Sequence, residues 1–306
     1  MKAALCTAYG GPEVLKIAQV PKPQPKSHEV LIAVKATAVN SGDVRVRGLV
    51  AEGIMKVFMR LAIGITKPRN PILGTVFAGE IEAIGAKVTK FKVGDQVFGM
   101  TGFKFGTHAE YLCISENGNL FAMPSNTSYE EAASLIFGGQ TAIFFLEFLK
   151  KLPLTKPRVL ILGATGSVGV AAVQVARYYG AEVTAVCSSD GLSLVKRLGL
   201  EYVITYDADG LQALGGKFDF ILDAVGKYSK NTIKPYLAAR GVFKTVGGFE
   251  YASESVDQLK LIKKLAEEQQ LTPVIDKVFS LEAIADAHQY VDSGRKKGNV
   301  VVVMGY

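Results

Sequence analysis

Val159-Leu160-Ile161-Leu162-Gly163-Ala164-Thr165-Gly166-Ser167-Val168-Gly169-Val170-Ala171-Ala172 carries an apolar run, a glycine cluster and a second apolar run in that order. The apolar run predicts a buried strand and the glycines a tight turn. The small and apolar residues after them open an amphipathic helix that ends at Gly180. Glycines let the backbone come close to a pyrophosphate. A helix N-terminus adds free N–H groups and the positive end of its dipole. The strand before and the helix after are the context that separates this motif from a glycine-rich turn that binds nothing. Gly163, Ala164, Thr165, Gly166, Ser167 and Val168 are therefore the candidate pyrophosphate residues.

The next strand, Ala181 to Cys187, bears on which dinucleotide binds. NAD sites carry Asp or Glu about 20 residues past the glycines, on the ribose 2′-hydroxyl. Here that place falls on Ser188 and Ser189, a neutral pair that accommodates a 2′-phosphate. NADPH is expected over NADH. Asp190 is the alternative ribose carboxylate if the strand ends later.

Working outward, residues after Pro124 alternate. Helices are expected from Tyr129 and from Thr141 to Lys151, the first capped by Thr127 or Ser128. Strands follow at 159–162, 181–187, 202–205, 218–222 and 242–246, with helices at 167–179, 191–198 and 259–269. Alternation of this kind implies a doubly wound parallel sheet, an α/β Rossmann domain. Before residue 124 the chain reads as short strands punctuated by Gly and Pro, a compact β barrel or sandwich. Val300 to Met304 is a closing strand.

Composition narrows the functions. The 306 residues suffice for two domains, and 49% apolar against 21% charged residues is ordinary for a globular protein. The net charge of +7 is scattered, with no basic run longer than Arg295-Lys296-Lys297, so nucleic-acid binding is not expected. Cys6, Cys113 and Cys187 suggest no disulfide framework, and with Met1 leading straight into the strand-like Lys2–Cys6 no signal peptide is expected. A reducing, cytoplasmic setting is expected. Residues 49–66 are apolar at helical spacing, but Glu52, Lys56 and Arg60 interrupt them, so stable membrane insertion is not expected. A packing helix, a lid over a pocket and a membrane-touching patch remain open for this stretch.

Ordered motifs resemble the medium-chain dehydrogenase/reductase superfamily, in its zinc-free quinone oxidoreductase branch. They are Tyr9-Gly10-Gly11-Pro12-Glu13, Ala38-Val39-Asn40-Ser41-Gly42-Asp43, Val93-Gly94-Asp95-Gln96-Val97-Phe98-Gly99, Glu130-Glu131-Ala132-Ala133, Gly139-Gln140-Thr141-Ala142 and Asp223-Ala224-Val225-Gly226. The resemblance implies a GroES-like catalytic domain over 1–123, a Rossmann domain over 124–270, and a return to the catalytic domain over 271–306. The zinc members of that superfamily place a metal-ligating Cys three residues before the Asp of the second motif, where this chain has Asn40. They place His-Glu after the glycine where Gly74 is followed by Thr75-Val76. Asn and Thr are poor zinc ligands, so no zinc is expected.

The resemblance then implies hydride transfer from NADPH to a quinone or to the C=C of an α,β-unsaturated carbonyl. Charge develops on the acceptor oxygen, where donors should stand. Asn40 is the first candidate, or else it only stabilises a turn. Thr141 faces the nicotinamide or serves as an N-cap. Tyr9 is a donor or a pocket wall. Arg45 and Arg47 reach the substrate or are surface charges, and Asp43 is structural. For the cofactor, Tyr206 is expected at the adenosine phosphate. Ala224, Val225, Gly226 and Gly247 are expected along the strand ends, and Asn299 beside them. The segment 247–258 is shorter than the family's usual last strand and dimer contact, so a monomer or an atypical homodimer is expected. Two other readings stay open: a nonenzymatic NADPH-binding sensor, and an enoyl-thioester reductase with Lys56, Arg60, Lys67 and Arg69 as a basic entrance.

Overall fold

The computed structural model describes residues 1–50, 53–248 and 250–305. The first half is β-rich: β1 (Lys2–Cys6), β2 (Leu15–Gln19), β3 (Glu29–Val39), α1 (Ser41–Gly48), α2 (Gly53–Ile63), β4 (Val76–Ile84), β5 (Gln96–Met100), β6 (Tyr111–Ser115) and β7 (Leu120–Ala122). The second half alternates: α3 (Tyr129–Leu146), β8 (Arg158–Leu162), α4 (Ser167–Tyr178), β9 (Glu182–Cys187), α5 (Leu192–Arg197), β10 (Tyr202–Thr205), β11 (Phe218–Asp223), α6 (Lys230–Ile233), β12 (Leu237–Thr245) and α7 (Val256–Glu267). The chain closes with β13 (Ile275–Ser280), α8 (Ile284–Asp292) and β14 (Asn299–Val303).

The parallel sheet runs β10-β9-β8-β11-β12, the doubly wound order. Both faces of β8 are covered: Val159 and Ile161 join the core beneath α3 and α4, while Leu160 and Leu162 join a second cluster with Phe218, Ile221 and Ile233. Two-sided burial explains the unbroken apolar run. The strand order reverses between β8 and β11, the place where such sheets leave a crevice.

In the β-rich sheet, β3 is the spine, pairing with β4, β6 and β14. Val300 lies opposite Val39 and Val303 opposite Ala36, so the last strand returns to the first half of the chain. Ile32, Val34, Phe77, Ile81 and Val97 fill its core, and Ile284 and Val291 of α8 pack against it.

One expectation is corrected, one is narrowed, and two elements are added. The two helices over 129–151 are one: α3 runs unbroken through Thr141 and passes into a 3₁₀ turn over Glu147–Lys151. Gly138 and Gly139 do not break it, because they are packing surfaces. A Cβ on Gly138 would lie 2.1 Å from the Ser167 carbonyl oxygen, and one on Gly139 would lie 2.8 Å from Ile262 Cδ1. Tyr129–Lys151 is long and apolar enough to cross a membrane, but its apolar window is 72% buried within the fold. Secondly, the stretch 49–66 starts with a helix end: Leu49 caps α1 at φ 48°, and α2 follows. Met59 and Ile63 pack inward, while Val57, Leu61 and Ile65 are exposed. Glu52 and the side chains of Ile54, Lys56 and Phe58 lie outside the described residues. Thirdly, β13 and α8 were not anticipated, since Ala287 and His288 dilute the apolar signal of α8's buried face.

Candidate active site

A cleft of about 1650 Å³ opens along the carboxyl ends of β8, β9, β11 and β12 and is closed on its far side by α1, residues 100–105 and residues 291–297. At its centre is the glycine turn. Gly163 has φ +77°, and a Cβ there would meet Val225 Cγ2 at 2.2 Å. A Cβ on Gly166 would meet nothing nearer than 3.8 Å. Gly166 is also the N-cap of α4 and makes no side-chain cap, so the first N–H groups of the helix are left for a ligand. Gly163, Thr165, Gly166, Ser167 and Val168 all line the cleft. An open, uncapped helix start behind a glycine cradle fits the pyrophosphate of a dinucleotide.

Two predicted members of this group stand behind it. Ala164 is fully buried, its N–H donating to the Val186 carbonyl at 3.0 Å. Asn299 is buried and accepts a short hydrogen bond from the Ser167 hydroxyl, while its amide donates to the Val274 carbonyl at 3.0 Å. The Gly298 N–H donates to the Thr165 carbonyl at 2.7 Å. Asn299 thus braces the turn from the returning segment.

Ala224, Val225 and Gly247 line the cleft, whereas Gly226 turns its backbone onto Gly247. The residue that organises this loop is Asp223, which the sequence reading passed over. Its fully buried carboxylate accepts from the N–H groups of Val225 (3.0 Å), Gly226 (2.9 Å) and Tyr228 (2.9 Å) and from the Thr245 hydroxyl (3.0 Å). The available signal was an Asp at a strand end before a turn.

At the adenosine end, Ser188, Asp190, Tyr206 and Asp207 line the cleft. Ser189 is exposed but stands outside the lining, its N–H and hydroxyl both donated to Asp207. The serine corner therefore carries the Asp207 carboxylate beside it. Arg295, Lys296 and Lys297 also line the cleft. Lys296 donates to the Gly298 carbonyl at 2.8 Å, and burial pushes its ammonium down to about 8.

The other end is an apolar chamber of Met100, Phe103, Phe105, Phe137 and Phe145 with a few polar groups. Phe103 stacks on Tyr251 across the cleft, centroids 5.0 Å apart. Asn40 is buried at the N-cap of α1. Its Oδ1 accepts from the N–H groups of Gly42 (2.8 Å) and Asp43 (3.2 Å), and its Nδ2 donates to Thr75 Oγ1 at 2.9 Å. Both roles considered for Asn40 thus meet in one side chain: it caps the helix, and it lines the cleft with one amide proton not taken by these bonds. Thr141 lines the cleft from inside α3 and is not an N-cap.

Tyr9 is corrected. It is not among the cleft-lining residues, and its hydroxyl donates to the Gly64 carbonyl at 2.7 Å, bracing the end of α2. Arg47 is no surface charge but a buried one, bonded to the Gly10 carbonyl at 3.1 Å and to Asp292 at 2.5 Å. Asp43 is structural: its Oδ2 accepts from the Asn40 N–H at 2.9 Å, and burial pushes its carboxyl up to about 7. Arg45 lines the cleft mouth. His108 and His288 meet edge to face deep in the β-rich core, where burial pushes His108 down to about 4. Neither lines the cleft.

The residues at the positions of the superfamily's catalytic zinc do not fit a metal. Asn40 and Thr75 bond each other, and an amide and a hydroxyl are poor zinc ligands.

Comparison with known proteins agrees with this geometry. Residues 26–125 match the alcohol dehydrogenase GroES-like domain, and residues 167–275 and 249–302 match zinc-binding dehydrogenase domains. The chain is 33% identical to the 2-methylene-furan-3-one reductase of Solanum lycopersicum, over 99% of this chain and 79% of the relative. It is 30% identical to the chloroplastic NADPH-dependent alkenal/one oxidoreductase of Arabidopsis thaliana, with the same coverage. The quinone oxidoreductase structure from Coxiella burnetii superposes with a TM-score of 0.85 at 27% identity, covering 99% of both chains. The chain belongs to the medium-chain dehydrogenase/reductase superfamily, on its quinone oxidoreductase-like branch, and is an oxidoreductase.

Proposed function

We propose that the protein transfers hydride from NADPH to a small electrophile, a quinone or a C=C bond conjugated to a carbonyl. One observation carries the reading: the uncapped start of α4 and the apolar chamber with Asn40 and Thr141 open into a single cleft. The bound nicotinamide supplies the hydride; the chain supplies position and donors. Gly163, Thr165, Gly166, Ser167 and Val168 hold the pyrophosphate, with Ala164 and Asn299 bracing them from behind. Ser188 and Tyr206 meet the adenosine end, with Ser189 behind them on Asp207, and Ala224, Val225, Gly226 and Gly247 shape the wall toward the nicotinamide. The Asn40 amide and Thr141 hydroxyl donate to the acceptor oxygen as charge builds on it, and Phe137 and Phe145 exclude water from it. The relative named as NADPH-dependent and the basic residues at 295–297 support NADPH.

We further propose a subunit that works as a monomer or an atypical homodimer in a reducing compartment, where its three free cysteines stay unpaired. Of the four residues read as a basic entrance for an enoyl thioester, Arg60, Lys67 and Arg69 do not line the cleft, Arg69 caps α2 through the Leu61 and Ala62 carbonyls, and the Lys56 side chain lies outside the described residues. The decisive experiment is NADPH oxidation with a chelator present, against a quinone and a simple enone, with products identified by mass. Saturated enone or reduced quinone supports the reading. Tight NADPH binding without turnover of either sinks it.

A further inference from the structure

The adenosine end of the cleft holds a charge that hydride transfer does not use. β9 and β10 are parallel neighbours, Cys187 opposite Thr205, so the residues following each leave the sheet side by side. Asp207 reaches across to Ser189. The Ser189 N–H donates to its two oxygens at 2.9 and 3.1 Å, and the Ser189 hydroxyl donates to Oδ1 at 2.9 Å. Desolvation acts to raise this carboxyl, but the bonds from Ser189 outweigh it and hold it below the usual carboxylate range, so it is ionised at neutral pH. Asp190 lines the cleft beside it. Among the described residues neither carboxylate has an ion-pair partner.

A ribose 2′-hydroxyl and a 2′-phosphate make opposite demands. The hydroxyl donates to a carboxylate. The phosphate brings its own negative charge and needs donors and cations. Asp207 offers an acceptor and has taken up the two donors of Ser189. Among the described residues the one cation acting at this corner is Lys297, whose charge reaches the Cys187 thiol at the end of β9.

We infer that Asp207 is a specificity-determining residue: its carboxylate disfavours the 2′-phosphate and suits the 2′-hydroxyl, so that NADH is bound alongside NADPH. The inference rests on the dinucleotide reading proposed above. It differs from a pure NADPH site, in which Ser189 would be free to meet the phosphate.

The test is to titrate the full-length protein with NADPH and with NADH, following nucleotide fluorescence, for the unaltered chain, Asp207→Asn and Asp207→Ser. Removing one charge beside a doubly charged phosphate should shift the affinity ratio toward NADPH by about tenfold. The shift should come from tighter NADPH binding and shrink in high salt. An unchanged ratio in both variants overturns the inference. So does a parallel loss of affinity for both nucleotides, which would make Asp207 only a loop brace. If the unaltered protein binds neither nucleotide, the dinucleotide reading itself falls, and the inference with it.

Discussion

Asn40 and Asp43 form a reciprocal capping box, and each leads to a prediction at the scale of one side chain. Ser is as good an N-cap as Asn but lacks the amide. Asn40→Ser should leave the denaturation midpoint nearly unchanged and lower kcat on the preferred acceptor about 100-fold, the size of a lost oxyanion donor. Unchanged kcat would reduce Asn40 to a cap. Asp43 is raised to about 7 in the folded chain against about 3.9 unfolded. The folded state therefore binds the proton more tightly. Its contribution to stability is full below pH 4, falls as pH rises to 7, and is flat above. Asp43→Asn should remove that slope, so that the variant gains on the parent protein between pH 4.5 and 8 in urea titrations.

At the scale of elements, the contact between α3 and α4 links packing to the cofactor. A methyl group on Gly138 would press on the backbone oxygen of Ser167, which cannot swing aside as a side chain can. Gly138→Ala should cost about 1–3 kcal/mol and weaken dinucleotide binding, because it moves the first turn of α4. Gly215→Ala is the control: a Cβ there meets nothing within 4 Å, and its midpoint should stay within about 0.5 kcal/mol of the parent. Sequence alone does not show that α3 is one helix, because a glycine that ends a helix and one that admits a neighbouring helix look alike without the neighbour. The start of α3 was legible, since Ser128 and Glu131 form a local capping box.

At the scale of the molecule, the return of β14 ties the two sheets together. Gly298 and Asn299 hold the glycine turn from one side while Val300 to Val303 pair with β3 on the other. Asn299→Ala should therefore lower both Tm and NADPH affinity, which differential scanning with and without nucleotide would show. NADPH at about 100 times its Kd should stabilise the parent by about 2.7 kcal/mol. A variant that loses Tm but keeps that increment would separate the tether from binding. The parallel sheet ends at β12, an edge carrying Arg240 and Lys244, and charged edges resist pairing. Light scattering should give no dimer held through that edge, so a dimer that survives Lys244→Glu must use another face.

Residue order alone specifies the strand–glycine turn–helix unit, the alternation that makes the parallel sheet, and the amide and hydroxyl at positions 40 and 75. Those features are local, or depend only on which residue type stands at a known place in an ordered set of motifs. Packing in three dimensions is what turns Thr141 into the cleft from mid-helix and sets Tyr9 to brace α2. It also decided that Arg47 is buried against Asp292 and that Asp207 claims the donors of Ser189. Each of these pairings joins residues distant in sequence, and its partner is chosen by how the strands and helices pack. Periodicity reports which face of an element is buried; it carries no information about what that face meets.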